Sequence, residues 1–555
     1  MIEIRDYGYN YNVFYNGDKE NYFSFFNFMT NIPDAKRLKH GKSGWKMPKC
    51  YLPELEKTFN EVTLVENPWD YIGEGLKLSP YCYQKETIKF GVDNGKGLLI
   101  LPCGAGKTPI LVGIYHELRK NNLTEKPGAI VVKASLKYQW VKEVEKFSNY
   151  KVKAIDTPSK AKKKFDLQFE DADIFILNYE TLKNEKVCQK LREKEIEVML
   201  FDEIHYINNH KSARSKAAFA FNDLKYLLGA TATPITNNPE NLFGIFNLIE
   251  KDLFKSYSKF SSNYIKYAGY GRVAGCKNED HLRKQIAPYI FIKSEEDVAD
   301  QLPTLVVNQI YCEMDDAMSS VNTQLFNDLD TVRLEIEALE RRFKNPKELE
   351  ANEEYQLATG KVMAYQTFLQ ELVDDPRLLS GSDSNMAKQY VNDNMQISEK
   401  MVALINLLEE IIDSGAKVCI FTKYQRMQML LKEKIEETFN TKCAIVNGTM
   451  SPEERYEQAY TLFGDNDNYK VLIGTDAMAE GISLSKCNYL IEYDLADSYA
   501  IQTQRHGRIK RANSVHKTGY VYQIICNGSW DEIQQKIIAK KENYDNVLIQ
   551  RLVGE

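Results

Sequence analysis

The sequence predicts an α/β protein: two parallel-sheet lobes in tandem, a helical insertion between them and a small N-terminal accessory region. Three observations predict it. First, short β-branched apolar runs alternate with helical patterns after residue 76, at GLLIL (97–101), AIVV (129–132), IFIL (174–177), VMLF (198–201) and YLLGA (226–230). Continuous apolar strands separated by helices suit a parallel sheet covered on both faces. Second, the rhythm returns at KVCIF (417–421), CAIV (443–446), KVLIG (470–474), YLIEY (489–493) and GYVYQII (519–525). Third, Leu325, Leu329, Val332, Ile336 and Leu339 recur at spacings 4-3-4-3, the seam of a helix packed on a partner. Lys344, Asn345 and Pro346 interrupt that seam, and Tyr355, Val362, Tyr365, Leu369 and Leu372 supply a returning arm. The hairpin so formed carries no chemistry, and SGSDSN (380–385) after it reads as a linker. These limits divide the chain into an accessory region (1–75), a first lobe (76–305), the insertion (306–395), a second lobe (396–530) and a C-terminal helical brace (531–555).

Composition narrows the function. The 555 residues carry 72 Lys+Arg against 78 Asp+Glu, a formal charge of −6, which excludes a uniformly basic nucleic-acid coat. A polyanion would have to bind a local basic surface on an acidic body. With 43% hydrophobic and 27% charged residues the chain has the make-up of a globular protein. No apolar run approaches 18 residues and the opening MIEIRDYGYNYN lacks a signal pattern, so neither a membrane span nor secretion is expected. Ten cysteines without a CxxC pair read as reduced thiols of a cytoplasmic protein, in a bacterium or a phage-infected cell. Seven histidines without HExxH spacing give no protein-built metal site.

The chemistry concentrates in two stretches. LLILPCGAGKTPILVGIYHEL (98–118) is an apolar strand, a tight turn and an amphipathic helix. Gly104 and Gly106, with Cys103 and Ala105 between and before them, let backbone N–H groups and a helix N-terminus converge on phosphate oxygens. Lys107 adds a point charge for the β- and γ-phosphates, and the Thr108 hydroxyl can ligate Mg²⁺. Position 101 is Leu, so the stricter G-x-x-x-x-G-K-[ST] pattern is not met. Ninety-five residues after Lys107, VMLFDEIH (198–205) is an apolar strand ending in two carboxylates. Asp202 is placed to hold Mg²⁺, and Glu203 to orient and deprotonate an attacking water. A lone Asp-Glu pair after a strand is usually a solvated turn; following a phosphate loop at this distance, it points to ATP hydrolysis.

In order along residues 76–545, the motifs resemble those of superfamily-two helicases, and among them the Swi/Snf-type DNA translocases. PYCYQ (80–84) looks like the adenine-reading Q motif, which would make Gln84 a base contact. KASLKYQWVKEVEKF (133–147), NYETL (178–182), DEIHYINNHKSARSKA (202–217) and GATATPITNNPENLFGIFNLI (229–249) are similar to successive family elements. In the second half, IFTKYQRM (420–427), VNGTMSPEER (446–455), GTDAMAEGISL (474–484) and QRHGRIKR (504–511) follow, the last fitting Q-x-x-G-R-x-x-R. Departures are the Ile292-Lys293 pair, the AMAEGISL run and the residues after Arg511, which mark a compact, divergent member.

The resemblance implies two RecA-like lobes, ATP and Mg²⁺ as cofactors, and phosphate contacts to double-stranded or branched DNA. It assigns catalysis to Lys107, Glu203, Gln504, Arg508 and Arg511, with Gly481 also at the nucleotide. It assigns DNA contacts to Lys133, Ser135 and Gln139 on the first lobe and to Thr422, Lys423, Gly448 and Thr475 on the second. Arg508 and Arg511 would reach the phosphate only when the lobes close. The implied function is a DNA translocase acting as a monomer. The alternatives are a strand-separating or branch-migrating helicase and, from another class, a nucleotide-switched DNA clamp. Near the N-terminus, Lys36, Arg37, Lys39, Lys42, Lys46 and Lys49 surround Trp45 without an acid, which suits a strand contact by charge plus stacking.

Overall fold

The computed structural model describes residues 2–540 apart from 7–9, 18, 33–34, 38–43, 60–61, 66–70, 159–164, 233–238, 268–272, 300–301, 344, 392–396, 480–481, 483 and 513. At the N-terminus β1 (Ile2–Asp6), β2 (Asn10–Tyr15), β3 (Lys36–Arg37), β4 (Gly44–Pro48) and β5 (Val62–Val65) form one sheet in the order β3-β4-β2-β1-β5. Alternate residues Ile2 and Ile4 of β1 turn inward onto Phe25 and Met29 of the helix Lys19–Asn31. Trp45 belongs to this core: it is 7% exposed and meets Phe26 edge to face at 5.6 Å. The stacking surface expected of it is therefore withdrawn, because the indole fills the space between sheet and helix. Arg37 is exposed, whereas Lys39 and Lys42 lie outside the described residues.

The first lobe is a seven-stranded sheet of β6 (Lys96–Ile100), β7 (Gly128–Val132), β8 (Val152–Ala154), β9 (Ile174–Asn178), β10 (Val198–Asp202), β11 (Tyr226–Thr231) and β14 (Ile290–Ile292). A small hairpin, β12 (Ile265–Tyr267) and β13 (Val273–Cys276), precedes the last of these. The sheet order is β14-β6-β11-β10-β7-β9-β8, and every pairing is parallel. Its central strands are buried along their whole length, as expected with helices on both faces. Parallel order puts the ends of β6 and β10 on one rim, where loops can assemble a site.

The second lobe contains β15 (Thr304–Cys312), β16 (Val418–Phe421), β17 (Lys442–Val446), β18 (Tyr469–Gly474), β19 (Tyr489–Glu492) and β20 (Thr518–Cys526), all parallel, in the order β15-β20-β19-β16-β18-β17. Residues 306–312, assigned from sequence to the insertion, instead belong to β15, the edge of this sheet. β15 pairs with β20 in register from Thr304↔Thr518 to Cys312↔Cys526. Asn308 and Gln309 break the continuous apolar run that marks a central strand, and Val306, Val307 and Tyr311 are exposed.

The insertion is an antiparallel hairpin of the helices Asp316–Arg342 and Glu353–Asp374, capped by Asp315 and Asn352. Leu325, Leu329 and Val332 bury against Phe368, Leu369 and Leu372 near its base, while Leu334, Leu357 and Met363 are exposed towards its tip. The SGSDSN stretch is no open linker; it joins two short helices, and Leu379 and Ala387 complete the hairpin core. Lys400 of the second lobe bonds Asp374 at 2.9 Å and Asp531 at 3.0 Å, all fully buried, and so ties the hairpin base to the helical residues 530–540.

Candidate nucleotide and nucleic-acid site

Between β6 and the helix Lys107–Lys120 the chain turns through residues 103–106 with Gly104 at φ +83° and Gly106 at φ +72°. A side chain at either position would meet protein as well as strain the backbone. A Cβ on Gly104 would strike the Lys510 carbonyl of the second lobe, and one on Gly106 would strike the Gln84 amide. Cys103 and Ala105 are buried, Cys103 against Gly507, and burial pushes the Cys103 thiol up, so it is an inert wall. Thr108 is half-buried on the first helical turn, beside Lys107.

Gln84 does not present its amide to a base. It is 3% exposed; its Oε1 accepts the Tyr81 N–H at 2.9 Å and its Nε2 donates to the Ala105 carbonyl at 3.1 Å. Tyr83 Oη donates to that same carbonyl at 2.8 Å. Gln84 thus caps its own helix and braces the glycine turn, and the base-contact role is corrected to this one.

Asp202 ends β10, and Glu203 follows at φ +51°, a left-handed position uncommon outside glycine and one that redirects its carboxylate into the cleft. Lys107 Nζ pairs with Glu203 Oε1 at 2.8 Å. Thr231 Oγ1 donates to Glu203 Oε2 at 3.1 Å, and His205 Nδ1 lies 3.2 Å from the same oxygen. Burial opposes charge on Glu203, but Lys107 and His205 outweigh it and hold the carboxyl well below its usual range. Burial also opposes charge on Lys107, and Glu203, Cys103 and Asp202 together keep its ammonium above the ordinary lysine value. Asp202 is pushed up to about 6 by burial and by Glu203, even though Trp140 Nε1 donates to its Oδ2 at 3.2 Å. Tyr179 Oη donates to the Asp202 carbonyl at 2.7 Å and fixes the strand end. His205 follows Glu203 by two residues, whereas Trp140, Tyr179 and Thr231 lie in motifs far along the chain, and only the fold brings those three to the carboxylates.

From the second lobe, the helix Tyr499–His506 and the turn after it lay Arg508 and Arg511 on the phosphate loop, with Lys510 bonded to Glu295 at 2.6 Å. Arg508 donates from Nη1 to the Ile482 carbonyl at 2.9 Å and from Nε to the Gln504 carbonyl at 3.0 Å. Arg511 Nη2 donates to the Ile482 carbonyl at 3.4 Å, and its buried Nε has no partner among the described residues. Burial and the neighbouring Arg511 lower Arg508 to about 9, and burial lowers Arg511 as well. Arg508, buried, and Arg511, half-buried, find only carbonyl acceptors among the described residues, and such guanidiniums fit a polyanion such as a triphosphate. Gln504 contributes its carbonyl, and Gly481 lies outside the described residues. Among the described residues no cluster of three or more His, Cys, Asp or Glu could hold a metal alone, so a cation there would need phosphate oxygens beside Thr108 and Asp202.

The residues expected at DNA divide into two groups. Lys133 lies over the Tyr206 ring at 5.3 Å, with Arg214 over that ring at 5.5 Å. Burial lowers Lys133 to about 8; Glu203 opposes the shift, and Arg214 and Arg455 reinforce it. Among the described residues Ser135 Oγ and Arg455 Nε are buried without partners and Gly448 faces open space, its carbonyl accepting Arg455 Nη2 at 3.0 Å, while Gln139 is half-buried. Arg214 and Arg455 stand inside motifs already quoted, yet nothing in those motifs separates them from solvated surface charges. Thr475 is 7% exposed at the end of β18. Thr422 and Lys423 do not fit a phosphate contact here. Thr422 is fully buried with its hydroxyl donated to Asp494 at 2.6 Å, and Lys423 Nζ pairs with Asp497 at 2.6 Å. Their donors already face carboxylates, which is the correction. The T-P-I-T-N-N stretch (233–238) lies outside the described residues.

Residues 60–378 match the SNF2-related domain and residues 399–513 the helicase conserved C-terminal domain. An uncharacterized ATP-dependent helicase of Mycoplasma pneumoniae is 24% identical over 89% of this chain and 46% of its own length. The uncharacterized ATP-dependent helicase YqhH of Bacillus subtilis is 24% identical over 86% of this chain and 80% of its own. Human SWI/SNF-related matrix-associated actin-dependent regulator of chromatin subfamily A member 1 is 22% identical over 94% of this chain and 48% of its own. The chain thus spans about half the length of several curated relatives it matches. The Sulfolobus solfataricus SWI2/SNF2 ATPase core, solved in complex with dsDNA, is 23% identical, covers 86% of this chain and 94% of that one, and superposes with a TM-score of 0.39. With both domains matched in order and the phosphate loop, paired carboxylates and arginines gathered at one cleft, the chain belongs to the SNF2-related family of helicase-type ATP hydrolases.

Proposed function

We propose that the protein is an ATP-driven motor that moves along double-stranded or branched DNA and remodels DNA structures or protein–DNA complexes. One observation carries the reading: the second lobe seats the Lys510 carbonyl on Gly104 and sets the buried Arg508 and the half-buried Arg511 beside a phosphate loop whose Lys107 is already paired with Glu203. Lobe closure and nucleotide binding would therefore be one event. Mg²⁺–ATP, when bound, would supply the phosphoanhydride bond to be cleaved and a cation that offsets the phosphate charge. Asp202 and Thr108 would hold that cation, whose charge relieves the burial acting on Asp202. Lys107 would leave Glu203 for phosphate oxygens, and Glu203, still oriented by Thr231 and His205, then accepts the proton of the attacking water. Arg508 and Arg511 offset charge on the transferred phosphoryl group, and the closed lobes exclude competing water.

Hydrolysis followed by phosphate release removes the charge that holds the lobes together, so opening and closing pass to the surfaces that grip DNA. Lys133, Ser135, Gln139, Gly448 and Thr475, with Arg214 and Arg455, would contact phosphates, which carry no sequence; binding is then non-specific and salt-dependent. The test compares ATP hydrolysis with duplex DNA, single strands and RNA, and assays translocation by triplex displacement. Stimulation by duplex DNA together with displacement is expected. Equal rates with and without DNA overturn the motor; stimulation without displacement points to a nucleotide-switched clamp. Efficient opening of a forked duplex points to a strand-separating helicase.

A further inference from the structure

The helix Lys137–Phe147 continues directly from the segment that carries Lys133, Ser135 and Gln139, and it touches the second lobe away from the phosphate loop. Lys142 Nζ stands 4.3 Å from the centroid of the Tyr456 ring, a cation–π contact that crosses the cleft. Tyr456 in turn packs on Tyr460, with centroids 4.8 Å apart and planes inclined by 34°. Tyr460 sits in the π-helical turn Glu457–Leu462, a rare geometry whose extra residue per turn rotates the following side chains and often marks a functional site. Its phenol is an electrostatic neighbour of both Arg508 and Arg511, as Glu143, next to Lys142, is of Arg511. A continuous run of groups therefore leads from the first lobe's strand-contacting segment to the two arginines, crossing between lobes once.

A contact made between lobes exists only when they are closed, so it favours closure by its own free energy. It also fixes the Tyr456 ring, hence Tyr460, which packs on the apolar cluster containing Ile482 and Ile509, and the Ile482 carbonyl holds both guanidiniums. We propose that Tyr456 and Tyr460 are positioning residues: a nucleic-acid strand gripped by residues 133–139 steadies the helix bearing Lys142, Lys142 seats on Tyr456, and the tyrosine pair sets Arg508 and Arg511 for hydrolysis. This deepens the reading of the cleft as a DNA-stimulated ATPase and rests on it; it supplies the route by which DNA raises the rate.

The test measures steady-state ATP hydrolysis of the full chain with and without saturating duplex DNA. It uses Lys142→Gln, Tyr456→Leu, Tyr456→Trp, Tyr460→Leu and the Lys142→Gln/Tyr456→Leu double variant. Melting temperature, KM for ATP and Kd for DNA are read alongside. Lys142→Gln and Tyr456→Leu should each lower the DNA-saturated kcat about fivefold, the size of one cation–π contact, and the double variant should lose no more than either. Tyr456→Trp, which keeps a π face, should retain most activity, and Tyr460→Leu should lose about tenfold or more through misplaced arginines. KM and DNA Kd should stay within about twofold, since the loss lies in the transition state. An unchanged kcat in folded Tyr456→Leu and Lys142→Gln, additive losses, or losses confined to KM or DNA Kd overturn the proposal while leaving the motor intact. A wild type that DNA does not stimulate overturns the motor, and this proposal with it.

Discussion

Across the cleft the two lobes, each a parallel sheet, treat the cations beside the phosphate loop differently. In the first lobe Lys107 and Glu203 neutralise each other at 2.8 Å, and Thr231 and His205 complete the carboxylate's partners. In the second lobe the contrast appears within one short stretch. Arg505 is fully buried with Asp476 at 2.7 Å, Glu492 at 3.4 Å and the Asp494 carbonyl at 2.6 Å, and these carboxylates outweigh burial and raise its pKa. Arg508, three residues on, finds only carbonyl oxygens as hydrogen-bond partners among the described residues, and burial and the neighbouring Arg511 lower it to about 9. A buried cation with carboxylate partners is structural; one without them is held ready for an anion that arrives from outside.

Substitutions can break that comparison. The largest effect is expected for Arg508→Ala, which should lower kcat about 10³-fold or more, as loss of a finger arginine does. Its melting temperature should hold or rise, because an uncompensated buried charge is removed; a clear loss of stability would make Arg508 structural like Arg505. Glu203→Gln should reduce kcat about 10²- to 10⁴-fold while nucleotide still binds, as read by equilibrium binding and single-turnover hydrolysis. Arg505→Met should behave in the reverse sense to Arg508→Ala. By stranding Asp476 and Glu492 it should cost about 3–5 kcal/mol in urea unfolding; an unfolding midpoint equal to wild type would remove the distinction drawn here.

The smallest effect concerns Lys133, whose pKa of about 8 places its loss of charge within an accessible range. In the free protein its ammonium is lost as pH rises through that value, so DNA affinity should weaken between about pH 7 and 9 by one phosphate contact. Lys133→Arg should flatten the profile. The sign for stability is opposite: above its native pKa the folded lysine holds fewer protons than the unfolded chain, so this group favours folding as pH rises towards the ordinary lysine value.

Much of this architecture was legible along the chain. The ten apolar runs read as strands lie within a residue or two of β6, β7, β9, β10, β11, β16, β17, β18, β19 and β20. Burial on both faces leaves a continuous apolar signature that needs no partner to be recognised. β15 escaped notice because Asn308 and Gln309 interrupt its apolar residues, and at the sheet edge it leaves side chains exposed on both faces, Val306 and Val307 among them. At the cleft, the glycine turn and the Asp-Glu pair were legible because phosphate chemistry demands those residue types close together in sequence. Gln84, Thr422 and Lys423 looked like ligand contacts by motif position, yet their polar atoms already serve Ala105, Asp494 and Asp497. Trp45 looked like a stacking surface beside its lysines and is instead core.

By itself, then, the order of residues determined the alternation of strands and helices, the phosphate turn, the terminal carboxylates and the basic stretch around Arg508 and Arg511. These are patterns among near neighbours, set by backbone periodicity and local chemistry. Only the tertiary structure decided which charges are neutralised, because the partners come from far along the chain: Glu203 lies 96 residues from Lys107, and Asp476 lies 29 from Arg505. Whether a buried cation ends as scaffold or stands ready for a polyanion follows from which oxygen atoms the fold carries to it.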